Sequence, residues 1–105
     1  MKIVRQSDWK EIYNENGALG YSLITHNMIG VVRLALNAHA AIAPHRVPFE
    51  AIFVVLNGSG TLTVDGVEHP LFVNDSAFVP ADAERGWLNT SDEPLEIQVI
   101  KMVAK

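Results

Sequence analysis

Two-residue turns recur at short intervals along this chain, and they constrain its fold more than any other feature. Asn57-Gly58 and Asp65-Gly66 supply the positive backbone angles that tight hairpins need, and His26-Asn27, Asn74-Asp75 and Ser91-Asp92-Glu93-Pro94 add further breaks. Between them lie short runs at 21–25, 29–37, 51–56, 61–64, 68–73, 77–79, 87–89 and 95–103. No stretch carries a sustained helical period. The pattern predicts an all-β chain, a small antiparallel β-barrel of jelly-roll type. Ahead of it, Ile3-Val4 is β-prone, and Ser7-Asp8 caps at most one helical turn over Trp9–Ile12, with Trp9 and Ile12 spaced to plug one end of the domain. The cluster Asn14-Glu15-Asn16-Gly17 closes that segment, and residues 38–44 read as a loop. The expected organisation is one domain, with an N-terminal arm at 1–19 and the barrel at 20–105.

Alternation separates the buried faces from the exposed ones. Thr61-Leu62-Thr63-Val64 is apolar at every second position, as a half-buried strand should be. Ile52-Phe53-Val54-Val55-Leu56 is apolar throughout and needs cover on both sides. The last strand, 95–103, alternates and then becomes apolar on both faces. An exposed apolar strand is a liability in a monomer, so a homodimer is expected.

Charge and composition exclude several partner classes. Eight basic residues against twelve acidic give a formal charge of -4, with no basic run suited to phosphates, so no nucleic acid is expected. The apolar runs are shorter than a membrane span and the N-terminus has no apolar segment of signal-peptide length, which predicts a cytoplasmic protein with no membrane partner. With no cysteine, disulfides and thiolate metal sites are excluded.

His45, Val47, Ala51 and Gly58 in one stretch and Asn74, Pro80, Asp82, Arg85 and Asn89 in another carry a resemblance, running from Ala43 to Val103, to the cupin superfamily. The family's first motif has two histidines one residue apart, then a glutamate, then a glycine after six intervening residues. Aligned on Gly58, these positions fall on His45, Val47 and Ala51. The second motif falls on Asn74, Pro80, Asp82, Arg85 and Asn89, with its spacing intact. The resemblance implies a double-stranded β-helix, and in metal-binding members three histidines and a glutamate at the positions of His45, Val47, Ala51 and Arg85. This chain keeps only His45. Valine and alanine cannot coordinate, and an arginine beside a divalent ion is strongly repelled. Catalytic metal sites normally need three protein ligands, so no metal and no other cofactor is expected.

The candidate site therefore rests on other chemistry. A metal-free pocket would bind a small anionic or carbonyl-bearing molecule, with Arg85 as anion anchor, Asn89 as a hydrogen-bonding group, and Trp87 and Phe53 as apolar walls. His45 is the candidate general base for an isomerase- or epimerase-type proton transfer, a reaction class that rests on fold-level analogy to metal-independent relatives. Glu50 precedes the family's glutamate position and faces outward by alternation; a bulge after Pro48 would turn it inward to pair with Arg85 or His45. Each residue also has a plain structural reading. Arg85 can point outward to Glu84 or Asp82, His45 can be a packed remnant, and Trp87 can be core. Two further functions stay open: a metal-dependent oxygenase or lyase with relocated ligands (His45 and Glu50 with His39 or His69), and a non-catalytic sensor module. A buried Arg85 requires an internal acid or an external anion on this reasoning.

The dimer expectation is directly measurable. Light scattering at micromolar concentration is expected to give twice the chain mass, and the mass of a single chain would remove the argument from the last strand.

Overall fold

Asn16-Gly17 and Asp65-Gly66 both adopt positive φ (48° and 85°; 49° and 81°), the geometry of a two-residue hairpin turn. Each joins strands whose registers run Glu15↔Ala18 and Val64↔Val67. The computed structural model describes residues 1–103. Its strands are β1 (Lys10–Glu15), β2 (Ala18–His26), β3 (Ile29–Leu36), β4 (Ala41–His45), β5 (Phe49–Asn57), β6 (Gly60–Val64), β7 (Val67–Leu71), β8 (Ser76–Val79), β9 (Arg85–Leu88) and β10 (Leu95–Val103). They form a six-stranded sheet in the order β1-β2-β3-β10-β5-β8 and a four-stranded sheet in the order β4-β9-β6-β7. All pairings are antiparallel, as the turns require. The all-β jelly-roll expectation holds, with two facing sheets that are not joined by hydrogen bonds into one closed barrel. No helix among the described residues is long and apolar enough to cross a membrane.

Two segments differ from the sequence reading. The helical turn lies at Gln6–Asp8, where the Asp8 carboxylate accepts the Arg5 backbone N–H at 3.1 Å, and Lys10–Glu15 is a strand. The sheet thus begins ahead of the expected boundary at residue 20. Trp9 and Ile12 also part company. Trp9 packs on Tyr21 at 6.1 Å with Arg33 over its ring at 5.2 Å, while a bulge between Glu11 and Tyr13 interrupts the ladder at Ile12. The expected loop at 38–44 contains most of β4, whose register with β9 shifts between Ile42 and His45. Pro44 lacks an N–H and breaks that ladder. β4 and β7, the two strands that contain a proline, are both edge strands, where a missing donor costs least.

The core lies between the sheets. Ala51, Phe53 and Val55 of β5, Leu95, Ile97 and Val99 of β10, and Val32 and Leu36 of β3 are buried, facing Leu62 and Trp87 from the smaller sheet. Phe53 and Trp87 meet edge-to-face at 5.5 Å across the interface. On the other side of the larger sheet, Val31, Ile100, Ile52 and Phe78 form one cross-strand row, with Phe78 56% exposed. A second copy of the chain, expected from the sequence, would have this row to cover.

Close backbone approach is confined to a few glycines. A Cβ on Gly86 would lie 2.7 Å from the Ile42 carbonyl oxygen and 2.8 Å from the Pro44 nitrogen, so β4 passes directly over β9 at this point. Gly58, at φ +80°, lies against the Pro94 carbonyl, where a side chain would collide.

Asn89, wholly buried, fastens the neighbouring loop that ends in Pro94 to the rest of the fold. Its amide nitrogen lies within hydrogen-bond distance of the carbonyls of Leu36 (3.2 Å), Asn37 (3.1 Å) and Glu93 (2.7 Å). Its oxygen accepts from the Ser91 N–H at 3.0 Å and the Ser91 hydroxyl at 2.9 Å. Removing this side chain takes a donor from three carbonyls and unties Ser91, although Asn37 still accepts from the Ala40 N–H and Glu93 from the Ser91 hydroxyl. Asn89→Ala is expected to cost about 2–4 kcal/mol and to lower the melting temperature by roughly 10 °C or more. A change within about 2 °C would show that these bonds contribute little net stability.

Candidate functional site

The inward faces of the two sheets leave a cavity of about 190 Å³. Val32 and Leu34 of β3, Phe49 and Phe53 of β5, and Val99 of β10 line it from the larger sheet. Ile42 and His45 of β4, with Arg85, Gly86 and Trp87 of β9, line it from the smaller one. Ile12, Tyr13, Val47 and Lys101 complete the wall. Apolar groups dominate, and the ionisable ones are His45, Arg85, Lys101 and Tyr13. The Tyr13 phenol is raised above its ordinary range, first by burial and then by the nearby Glu15 charge, so it stays protonated.

Arg85 is 3% exposed and turned into the protein. Register places it opposite His45 on β4 and Val64 on β6. Its Nε donates to the Ala83 carbonyl at 2.9 Å, Nη1 to Phe49 at 3.4 Å, and Nη2 to Pro80. The sequence reading has a buried arginine here find an internal acid or an external anion; inside the protein its hydrogen bonds go to backbone carbonyls. Charge is another matter. Among the described residues the ion pairs are Arg33–Glu96 and His39–Asp92, and no carboxylate lies within 4.0 Å of Arg85. Burial lowers its pKa, while the more distant charges of Asp65 and Asp82 act in the opposite direction. A guanidinium has five N–H donors, so two remain after the three carbonyl bonds.

Trp87 is 3% exposed, and its indole Nε1–H is buried without an acceptor. Such an orphaned donor costs about 1–3 kcal/mol. His45 is exposed at the cavity rim, where Nδ1 lies 3.0 Å from the Ala43 carbonyl oxygen. A carbonyl only accepts, so Nδ1 carries the proton and Nε2 the lone pair when the ring is neutral.

The structure therefore brings His45, Arg85, Trp87 and Phe53 to one cavity. Glu50 and Asn89 are elsewhere. No inward bulge moves Glu50, which is exposed on β5 beside Met102, and Asn89 spends its polar atoms on backbone and Ser91. Lys101 was missed, although the alternation of Leu95, Ile97 and Val99 continues directly to it.

Relocated metal ligands are not assembled either. His39, at φ 62°, is bonded to Asp92 at 2.7 Å, and His69 is exposed on β7. Among the described residues no three His, Cys, Asp or Glu side chains come together, so the donor set does not fit the metal of the resembling family.

Comparison with known proteins bears on the family. A cupin domain model matches residues 32–101. The dimethylsulfoniopropionate lyase DddW of Ruegeria pomeroyi is 40% identical over 43 residues, which are 41% of this chain but only 28% of that protein's length. A predicted oxalate decarboxylase from Thermotoga maritima superposes with a TM-score of 0.82 at 21% identity, covering 98% of this chain and 100% of that one. The polyketide cyclase RemF from Streptomyces resistomycificus gives a TM-score of 0.82 at 20% identity, covering 99% of this chain and 80% of its own. Likeness at such identities speaks for the fold, while the family model spans most of both sheets. On that match, this chain belongs to the cupin domain family.

Proposed function

We propose that the cavity binds a small molecule carrying a carboxylate or a polarised carbonyl, and that His45 transfers a proton on it. The observation that carries this reading is Arg85, a buried cation on the cavity wall with no carboxylate within 4.0 Å among the described residues and two N–H groups unspent. Among the described residues no acidic side chain lines the cavity. An anion entering it meets positive charge in an apolar surrounding, where charge-assisted hydrogen bonds are strong. The Ruegeria pomeroyi relative is named for dimethylsulfoniopropionate, itself a small carboxylate.

The chemistry follows from what His45 offers. With Nδ1–H held by the Ala43 carbonyl, the Nε2 lone pair is available as a base. It removes a proton from the carbon beside the ligand's carbonyl, and the electron pair left behind moves onto the carbonyl oxygen as an enolate. Returning the proton to a neighbouring atom completes an isomerisation, and returning it to the same carbon after the enolate has turned its other face to His45 completes an epimerisation, with no further reactant. The unspent donors of Arg85 suit the negative oxygen formed in between.

Two measurements test the two halves. Trp9 and Trp87 are the chain's only tryptophans, so Trp9→Phe leaves Trp87 as the reporter of cavity occupancy. Small carboxylates are expected to change its emission at concentrations roughly tenfold below those of the matching primary amides; equal titration by both would remove the anion reading. For the proton transfer, proton exchange of 2-oxo acids in heavy water is expected to fall by about 10²–10⁴ in His45→Gln. Exchange at the unaltered rate in that variant would take His45 out of the chemistry.

A further inference from the structure

We propose that Lys101 is the second cation of a clamp that it forms with Arg85, and that the clamp selects small monocarboxylates with a compact apolar body, aromatic or branched aliphatic. The inference rests on the reading of Arg85 as an anion site and specifies what that site accepts. Strand geometry gives the first support. Leu95, Ile97 and Val99 turn inward from β10, and Lys101 follows them in the same alternation, ending an apolar column in a cation at the cavity wall.

The opposing strand makes room for this side chain. Lys101 is the register partner of Gly30, where a Cβ would lie 3.0 Å from the Lys101 Cε and 3.3 Å from its Cγ. The lysine stem thus lies on a position with no side chain of its own. Its ammonium is 5.2 Å from the centre of the Phe49 ring, and the Arg85 Cζ is 5.9 Å from the same centre. One aromatic ring therefore brings both cations to one part of the wall, and no ion pair among the described residues neutralises either. Two like charges sharing a low-dielectric wall repel each other. An anion between them removes that repulsion and gains both attractions.

Size and lining define the rest of the ligand. Beyond the cations, Tyr13 and His45 are the other polar side chains of a wall that is otherwise apolar, with Val32, Ile42, Phe53, Trp87 and Val99 offering contact to an apolar body. A cavity of about 190 Å³ is slightly larger than the ~150 Å³ apolar cavity that accommodates benzene. One ring or a branched chain of similar bulk fits. A dicarboxylate would place its second charge against hydrocarbon, at a heavy desolvation cost.

The test uses benzoate and benzamide as probes, titrated by Trp87 emission in the Trp9→Phe protein and in the same protein carrying Lys101→Met or Lys101→Arg. Lys101 is only half-buried, and a melting temperature within a few degrees of the parent will show that Lys101→Met folds. Benzoate is expected to bind about tenfold or more weakly to Lys101→Met, with benzamide changed less than about twofold and benzoate affinity largely restored in Lys101→Arg. Benzoate binding equally tight in Lys101→Met, with its preference over benzamide intact, would overturn the clamp while leaving Arg85 as the anion site. A parent protein that does not prefer benzoate to benzamide would instead overturn the reading of Arg85 beneath it.

Discussion

A guanidinium buried without a neighbouring acid is the constraint on which the site depends. Three carbonyls, from Ala83, Phe49 and Pro80, satisfy part of its hydrogen-bonding capacity. They belong to the start of β5 and to the segment joining β8 to β9, so the arginine ties the two sheets together at the cavity. Carbonyl dipoles satisfy donors but leave the net charge in place, and a buried charge is costly unless something of opposite sign approaches it. The same residue is thus a structural tie and a source of uncompensated field. A second cation, Lys101, lines the same cavity, and among the described residues no acidic side chain does.

Glycines decide how much space this field occupies. At Gly86 the β4 backbone comes within 2.7 Å of where a side chain would begin, which draws His45 down beside Arg85. At Gly30 the missing side chain is replaced by the lysine stem of the neighbouring strand. In both places the chain gives up local side-chain packing so that a chemically useful group from another strand can lie there. Val47, at a position where the family resemblance implies a histidine, adds to the space with a small apolar side chain on the wall.

How much of this was legible depends on the range of the signal. Hairpin turns are local, and Asp65-Gly66 specifies its own from two residues; Asn57-Gly58, read in the same way, instead carries the chain from β5 in one sheet to β6 in the other. Family spacing located His45, Arg85 and Trp87, because a preserved count of residues along antiparallel strands preserves which side chains share a face. The strand at Lys10–Glu15 was hidden by a bulge and by a polar sequence that mimics a helix cap, and β4 was hidden by Pro44. Asn89 was misassigned for a different reason. The carbonyls it reaches, on Leu36 and Asn37, are more than fifty residues away, and backbone groups leave no trace in side-chain patterns. The carbonyl partners of Arg85 were invisible for the same reason. Lys101 differs from both, since strand alternation alone places it inside, two residues after Val99.

The exchange at the family's ligand positions amounts to a change in where the charge comes from. Where the resemblance implies neutral imidazoles and a carboxylate around a cation, this chain has one histidine, two small apolar residues and an arginine. The protein itself now supplies the positive charge, fixed on β9 by its carbonyl bonds, and the space left by the missing side chains lies next to it. On the reading proposed for this site, one cavity serves both a negative charge that arrives with a ligand and one that develops on a ligand oxygen when a base removes a proton. Binding and proton transfer then draw on one electrostatic feature. Because Arg85 is held rigidly by the backbone before anything enters, little of that stabilisation is lost to reorganisation.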